Sequence, residues 1–233
     1  MLEARSALPE LMDDPGLPPR DLGRALDELT AINRWLGGRR TSRKGIGSVV
    51  KNILEPRPVT ILDIGSGGSG LDAALAPLRR RCAVTALDIN IRVHEYALRH
   101  ADHAAFVIGS AHALPFADRS FDIVHASLFL HHCTDAEARA LLANAVRIAR
   151  YGVVINDLHR HVCAYAGIAV LTRLLSHSPV VRNDALISVR RAFRREELLR
   201  LLPRSGGVQV SLIWRWAFRW CLCITFSPGA THG

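Results

Sequence analysis

Lysine is almost missing from this chain: Lys44 and Lys51 are the only two. Nearly all the positive charge is therefore arginine. It is spread as Arg39-Arg40, Arg79-Arg80-Arg81, Arg190-Arg191 and Arg194-Arg195, not gathered into a stripe with aromatics between. A nucleic-acid surface is not expected from that pattern, despite a formal charge of +9. Acidic small molecules or anionic membrane surfaces suit the charge better. Cysteine is also sparse, at Cys82, Cys133, Cys163, Cys221 and Cys223. The odd number and irregular spacing exclude a disulfide framework and point to reduced thiols. Cys221 and Cys223 would share a face in a strand, but no matching ligand pair sits nearby, so no metal site is expected. Long apolar runs are lacking too. Val162 to Leu175 is short and holds Arg173, and Val208 to Phe226 holds Arg215 and Arg219, so no integral membrane span is expected. The first residues are acids and prolines without an apolar run, so no secretory leader is read there and a cytoplasmic location is expected.

What is present is an ordinary globular composition, 49% hydrophobic and 22% charged over 233 residues. That length can bury a full core. Residues 1–17 read as loosely ordered, because Asp13-Asp14-Pro15-Gly16 is turn chemistry. Leu22, Leu26, Leu29, Ile32 and Leu36 then recur at helical spacing until Gly37-Gly38 ends the helix. Residues 39–58 read as a basic link. Residues 1–55 are thus expected to form a mobile helical arm or lid, and 56–233 the main domain, with a helical cap at about 160–205.

From Val59 strands and helices alternate. Strands are expected at 59–63, 83–88, 105–108, 121–126 and 153–156. Helices are expected around Leu71, Leu75 and Leu78, at 90–101 and at 135–149. This rhythm predicts an α/β, Rossmann-like, mostly parallel sheet with helices on both faces. Beyond it, 160–177 and 196–202 read as helices and 178–194 as a basic loop. Val208 to Phe226 reads as an antiparallel hairpin turning near Trp216-Ala217, which brings the sheet to seven strands. The ligand is expected at the carboxyl ends of strands one, two and four.

The stretch Val59-Thr60-Ile61-Leu62-Asp63-Ile64-Gly65-Ser66-Gly67-Gly68-Ser69-Gly70 carries the chemistry. A buried strand ends in an acid, breaks into glycines and leads into a helix. Such a turn presents backbone N–H groups at a positive helix end, where an anionic group can bind, and glycine permits positive φ and close approach. Asp88, 23 residues after Gly65, ends strand two, where an acid accepts hydrogen bonds from both hydroxyls of a ribose. The same residue could instead cap the helix that begins at Asn90. A nicotinamide dinucleotide and S-adenosylmethionine both present such a ribose.

Three features separate the two cofactors. Asp63 stands two residues before the first glycine, a helical arm precedes the motif, and Gly109-Ser110-Ala111-His112-Ala113-Leu114-Pro115-Phe116 is followed by Ser127-Leu128-Phe129-Leu130-His131-His132. On these motifs the chain resembles the class I S-adenosylmethionine-dependent methyltransferases, especially the small-molecule branch that includes ubiquinone and menaquinone biosynthesis enzymes. The resemblance covers about residues 58–157. It implies that Asp63, Gly65, Ser66 and Gly67 lie under the methionine part of the cofactor. It implies that Asp88 holds the ribose and that Ile89 packs on the adenine. Ser110 and Ala111 would meet the adenine amino edge, and Ser127 and Leu128 would lie beside the sulfonium. The family commonly has Asp where this chain has Ser110, a shorter and uncharged acceptor.

The activity so implied is methyl transfer to a small, aromatic, quinone-like or polyketide-like acceptor. O-methylation is favoured, and C- or N-methylation stays open. If the acceptor hydroxyl must lose a proton, His131 or His132 is the expected base. Asp157 and His161 are the expected helpers, and Asp157 as a helix cap is the alternative. Asn33 and Arg34 could close over the cofactor or face solvent. Trp214, Trp216, Phe218 and Trp220 alternate like one face of a hairpin packed on the core, with an aromatic wall of the substrate pocket or a membrane-surface belt as the alternatives. A homodimer is left open. The rival readings are a nicotinamide-dependent oxidoreductase and a non-catalytic S-adenosylmethionine-binding protein. The first would want a Tyr/Lys pair as proton donor. Only Tyr96, Tyr151 and Tyr165 are present, and no lysine follows Lys51.

Overall fold

The β-branched runs pair into one seven-stranded sheet in the computed structural model, which describes residues 2–68, 70–100, 105–203 and 207–226. The strands are β1 (Val59–Ile64), β2 (Cys82–Asp88), β3 (Ala105–Ile108), β4 (Phe121–Ser127), β5 (Ala149–Leu158), β6 (Val208–Arg215) and β7 (Arg219–Phe226). Their order is β3-β2-β1-β4-β5-β7-β6. The pairs among β1 to β5 are parallel, and β7 runs antiparallel to both β5 and β6. This is the Rossmann-like sheet and terminal hairpin that the pattern predicts. The order reverses between β1 and β4, so their carboxyl ends and that of β2 open onto one crevice.

Eight α-helices accompany it among the described residues: α1 (Pro19–Trp35), α2 (Gly38–Val50), α3 (Gly70–Ala74), α4 (Ile91–His100), α5 (Asp135–Ile148), α6 (Val162–Leu175), α7 (Pro179–Arg191) and α8 (Arg195–Leu201). Alternation along each strand divides the core between the two faces of the sheet. Ile61, Ile123 and Val154 pack with Ile46, Val49 and Val50 of α2. Leu62, Val124 and Val153 pack with Leu141, Leu142 and Leu198 on the other side. Truncating a fully buried Ile61 or Leu62 to alanine should cost about 2–5 kcal/mol. Gly45 lets α2 approach the sheet: a Cβ there would lie 2.6 Å from Val154. Cys221 and Cys223 do share a face, are buried, and remain free thiols.

Four local expectations are corrected. Residues 39–58, read as a basic link, are α2 as far as Val50; Thr41, Ser42, Ile46, Val49 and Val50 are on its buried side, and Arg40, Arg43 and Lys44 are exposed. The helix after the glycine turn is only α3. It passes into a 3-10 turn at Ala76–Arg81, because Pro77 removes a backbone donor. Residues 178–194, read as a loop, contain α7. Ser178 caps it by accepting from the Val181 amide at 3.4 Å, and Pro179 starts it. The arginines that disguised this helix are used structurally. Arg182 donates to the Ser176 carbonyl at 2.6 Å, and Arg191 donates to the His132 carbonyl at 2.6 Å. Finally, residues 2–17, read as loosely ordered, are tied down. The Ser6 amide donates to the Arg190 carbonyl (3.0 Å), and the Leu11 and Met12 amides donate to the Asp184 carboxylate (2.8 and 2.9 Å). Arg5 lies over the Phe193 ring, 3.6 Å from its centroid.

Candidate functional site

A cavity of about 770 Å³ lies at the carboxyl ends of β1, β2 and β4. One wall is the turn after β1. Gly65 and Gly67 adopt φ of 61° and 54°, the left-handed region that glycine tolerates. A Cβ on Gly65 would also sit 2.1 Å from the Phe129 ring, whereas one on Gly67 would meet nothing within 4 Å. The first glycine is thus required by packing, and the second faces open space. The Ser66 amide donates to the Leu87 carbonyl at 3.1 Å and fastens the turn to β2. At the end of β2, the Asp88 carboxylate accepts from the Gly67 and Asn90 amides, both at 3.0 Å. Asn90 in turn accepts from the Arg92 amide at 3.0 Å and so caps α4 itself. Ile89 is 71% exposed at the rim. The Ser110 hydroxyl accepts from the His112 amide at 3.2 Å, and Ala111 is buried beneath it.

The floor is polar and buried. Asp63 accepts from His125 Nδ1 at 2.6 Å, and Nε2 of that ring lies 3.0 Å from the Ser42 hydroxyl. Asn156 donates to Ser127 and Ser42 at 3.0 and 2.9 Å. Leu128 takes a left-handed φ of 54° as the chain leaves β4, and its amide donates to the Asn156 carbonyl. Arg219 is buried beside Asn156 with no carboxylate in salt-bridge range among the described residues. It donates to Asn33 Oδ1 at 2.8 Å and to the Leu36 carbonyl at 3.2 Å. Burial pulls its pKa down to about 10, only partly offset by Asp157. Asn33 therefore lines the cavity, whereas Arg34 is exposed.

The opposite wall carries the histidines. Asp157, inside β5, accepts from His131 Nδ1 at 2.6 Å and from the His131 amide at 2.9 Å. His131 Nε2 lies 3.4 Å from Glu10, which reaches in from the N-terminal segment. Burial lowers the affinity of this imidazole for its proton, but Asp157 and Glu10 together outweigh that and push the pKa up to about 10. Both carboxylates are correspondingly held below their ordinary values, against the opposing pull of burial. That direction favours the imidazolium form of His131 at neutral pH and argues against it as one of the two expected bases. His132 stands differently. It is half-buried, stacks on Phe129 at 6.1 Å, and has Nδ1 3.2 Å from Asp13 and Nε2 3.7 Å from Glu10. Glu10, His131 and His132 bring three ligand atoms within 4.8 Å of one another, close enough for a metal ion, and as placed the Glu10 carboxylate faces both rings.

Two expectations about the far wall need correction. Asp157 does not cap α6. His161 does, accepting from the Cys163 amide at 3.1 Å, and it is not among the residues lining the cavity. The aromatic alternation does not pack as one face either: Trp220 is buried, while Trp216 and Phe218 line the cavity and Trp214 is exposed. Glu10, Asp13, His125 and Arg219 were missed by sequence reasoning. A signal existed for two of them, since His125 interrupts an apolar strand and Arg219 interrupts an aromatic one. Glu10 and Asp13 had none, because their partners lie more than 100 residues away.

The fold is the Rossmann-like methyltransferase fold. A family model described as a methyltransferase domain matches residues 62–155. The chain is 32% identical over 87 residues to a demethylmenaquinone methyltransferase of Thermotoga maritima, covering 37% of this chain and 38% of that protein. It is 27% identical over 134 residues to a malonyl-[acyl-carrier protein] O-methyltransferase of Methylococcus capsulatus, covering 50% and 48%. The chain spans less than half the length of the curated relatives it matches. Among solved structures, the plantazolicin methyltransferase BpumL bound to SAH aligns over 90% of this chain and 95% of its own, with a TM-score of 0.68 at 13% identity. A SAM-dependent methyltransferase from Aquifex aeolicus aligns over 91% and 100%, with a TM-score of 0.60 at 13% identity. Residues 62–155 therefore match a methyltransferase domain, in line with the resemblance that the motifs carry.

Proposed function

We propose that the chain binds S-adenosylmethionine and transfers its methyl group to an oxygen of a small, flat, apolar acceptor, of aromatic, quinone or polyketide type. The observation that carries this is the arrangement around one cavity. The glycine turn, Asp88, Ile89 and Ser110 line it together with Ser127, Leu128 and His132. The donor set fits the cofactor. The open side of Gly67 leaves room for the methionine part above Asp63, Gly65 and Ser66. Asp88 accepts one backbone amide on each oxygen and keeps a lone pair on each for a ribose hydroxyl, and Ile89 and Ala111 offer apolar surface to adenine. When bound, S-adenosylmethionine supplies a methyl group that is already activated. The protein then has to hold the acceptor in line and keep water out. Leu29, Ile168, Leu171 and Phe218 make the acceptor side apolar.

His132 is the group placed to take a proton from an acceptor hydroxyl, with Asp13 orienting the ring through Nδ1. Charged His131 and Asp157 act as positioning residues: through the bond from the His131 amide they fix the turn that carries His132. Calorimetry with S-adenosylmethionine, S-adenosylhomocysteine and NAD tests the cofactor. A labelled-methyl assay over a panel of phenols and quinols tests the reaction. Binding of NAD alone, or cofactor binding without transfer to any acceptor of this class, would overturn the reading.

A further inference from the structure

In α6, composition and burial disagree. Thr172 and Arg173 are its only polar side chains apart from the Tyr165 hydroxyl, yet Thr172 is its one buried residue. Cys163, Gly167, Ile168 and Leu171 on one side line the cavity. On the opposite side, Val162, Ala166 and Val170 follow one another at i, i+4 and i+8. Val162 is 64% exposed, Val170 59% and Leu174 73%. A surface helix ordinarily presents several charges there, and here exposed Arg173 is the one charged side chain among them. Among the described residues, none covers this stripe. At 14 residues the helix is about 21 Å long, too short to span a bilayer, and no described helix is long and apolar enough to cross one.

The apolar surface continues past the start of α6. His161 stacks on Phe218 at 5.0 Å. Two residues away, Trp216 is 70% exposed. The Ala217 amide donates to the Leu36 carbonyl at 3.3 Å, which brings Trp35, 82% exposed, to the same corner. Tryptophan is suited to such a half-wet position. Cations border it: Arg34 and Arg40 are exposed, Arg39 lines the cavity, and none of the three has an acidic partner among the described ion pairs.

Charge decides what occupies this face. Two copies of a chain with formal charge +9, met face to face, would bring these arginines together. Anionic lipid would neutralise them while the apolar stripe enters the headgroup boundary. We propose that α6 and the Trp35–Trp216 corner form a docking surface for an anionic bilayer, with α6 lying flat and the cavity mouth turned toward lipid. This goes beyond methyl transfer and does not rest on it.

Co-sedimentation of the full chain with phosphatidylcholine vesicles, with and without phosphatidylglycerol, tests the proposal. Wild type should bind the phosphatidylglycerol vesicles roughly tenfold more tightly, with the advantage shrinking in high salt. The double variant Val170→Glu, Leu174→Glu should lose about tenfold in that binding while keeping its far-UV circular dichroism. Trp35→Ser, on a different helix, should also weaken binding and serves if the double variant fails to fold. Absent binding, equal binding to both vesicles, or variants that bind like wild type would overturn the proposal. So would a dimer, seen by light scattering, that the double variant dissolves while no vesicles are bound.

Discussion

Asp157→Asn isolates the buried charge on which the histidine wall depends. The Asp157 carboxylate accepts from both the ring and the amide of His131. Removing one partner of a buried, hydrogen-bonded charge pair costs about 3–5 kcal/mol. Asparagine keeps an acceptor for the His131 amide, and Glu10 still faces Nε2, so the lower end applies: about 3 kcal/mol near pH 6. The cost should depend on pH in a definite direction. The His131 pKa rises from 6.5 to about 10 on folding. Its contribution is therefore complete below pH 6.5 and is lost as the pH climbs toward 10. Asp157 and Glu10, both lowered on folding, contribute above the ordinary carboxylate range and lose that contribution only in acid. The difference between wild type and variant should thus be largest near pH 6. By pH 9.5 it should narrow to about 1 kcal/mol, the worth of neutral hydrogen bonds. Two nearby groups set the upper limit of the experiment. The Cys133 thiol is pushed up to about 12 by burial and stays silent, but Arg219 begins to titrate near 10. Urea unfolding followed by tryptophan fluorescence at pH 6, 8 and 9.5 measures the effect. A difference that stays constant over that range would refute the charged state of His131.

Three further outcomes are expected. Asp88→Ala should lose two hydrogen bonds to the ribose, each worth about 1.5–3 kcal/mol, and so weaken S-adenosylhomocysteine binding at least tenfold by calorimetry, at unchanged fold. His132→Ala should slow methyl transfer to a phenol by about 10²–10⁴-fold at neutral pH with cofactor affinity intact, and the loss should shrink at high pH as the phenol ionises by itself. A rate unchanged at neutral pH would leave positioning alone as the catalytic device. Gly65→Ala sets a Cβ 2.1 Å from Phe129 at a φ of 61°, so it should abolish cofactor binding, whereas Gly67→Ala, with open space at the same φ sign, should weaken it only in part.

The parts of this molecule legible in sequence were those whose signals are local. Alternation of strands and helices gave four of the five parallel strands to within a residue, since β-branched runs and turn residues act over a few positions, while β5, expected at 153–156, runs Ala149–Leu158. The glycine turn, Asp88 and Ser110 fall where the motif puts them, because a strand-turn-helix unit carries its own geometry. Errors arose where composition spoke for structure. Arginine-rich residues 178–194 looked like a loop, but their cations reach backbone carbonyls while Val180, Val181 and Ala185 form the buried side of α7.

Non-local pairing explains the remainder, and it bears on the chemistry. His131 and His132 read as equals in sequence, both following β4. What divides them is Asp157 on the neighbouring strand, which touches His131 alone, while Glu10, on a segment tied to α7, faces both rings. Asp157 thus raises the proton affinity of His131 and makes no contact with the His132 ring. The N-terminal segment is tied to α7 through Asp184, and Arg5 reaches the His131 and Cys133 carbonyls and Asp135. A substitution as remote as Asp184→Ala should therefore free Leu11 and Met12, loosen Glu10, and lower the proton affinity of His131. Histidine ring resonances followed by NMR from pH 6 to 10 would show the midpoint of one imidazole moving down. An unmoved midpoint would mean that Asp157 alone holds the charge.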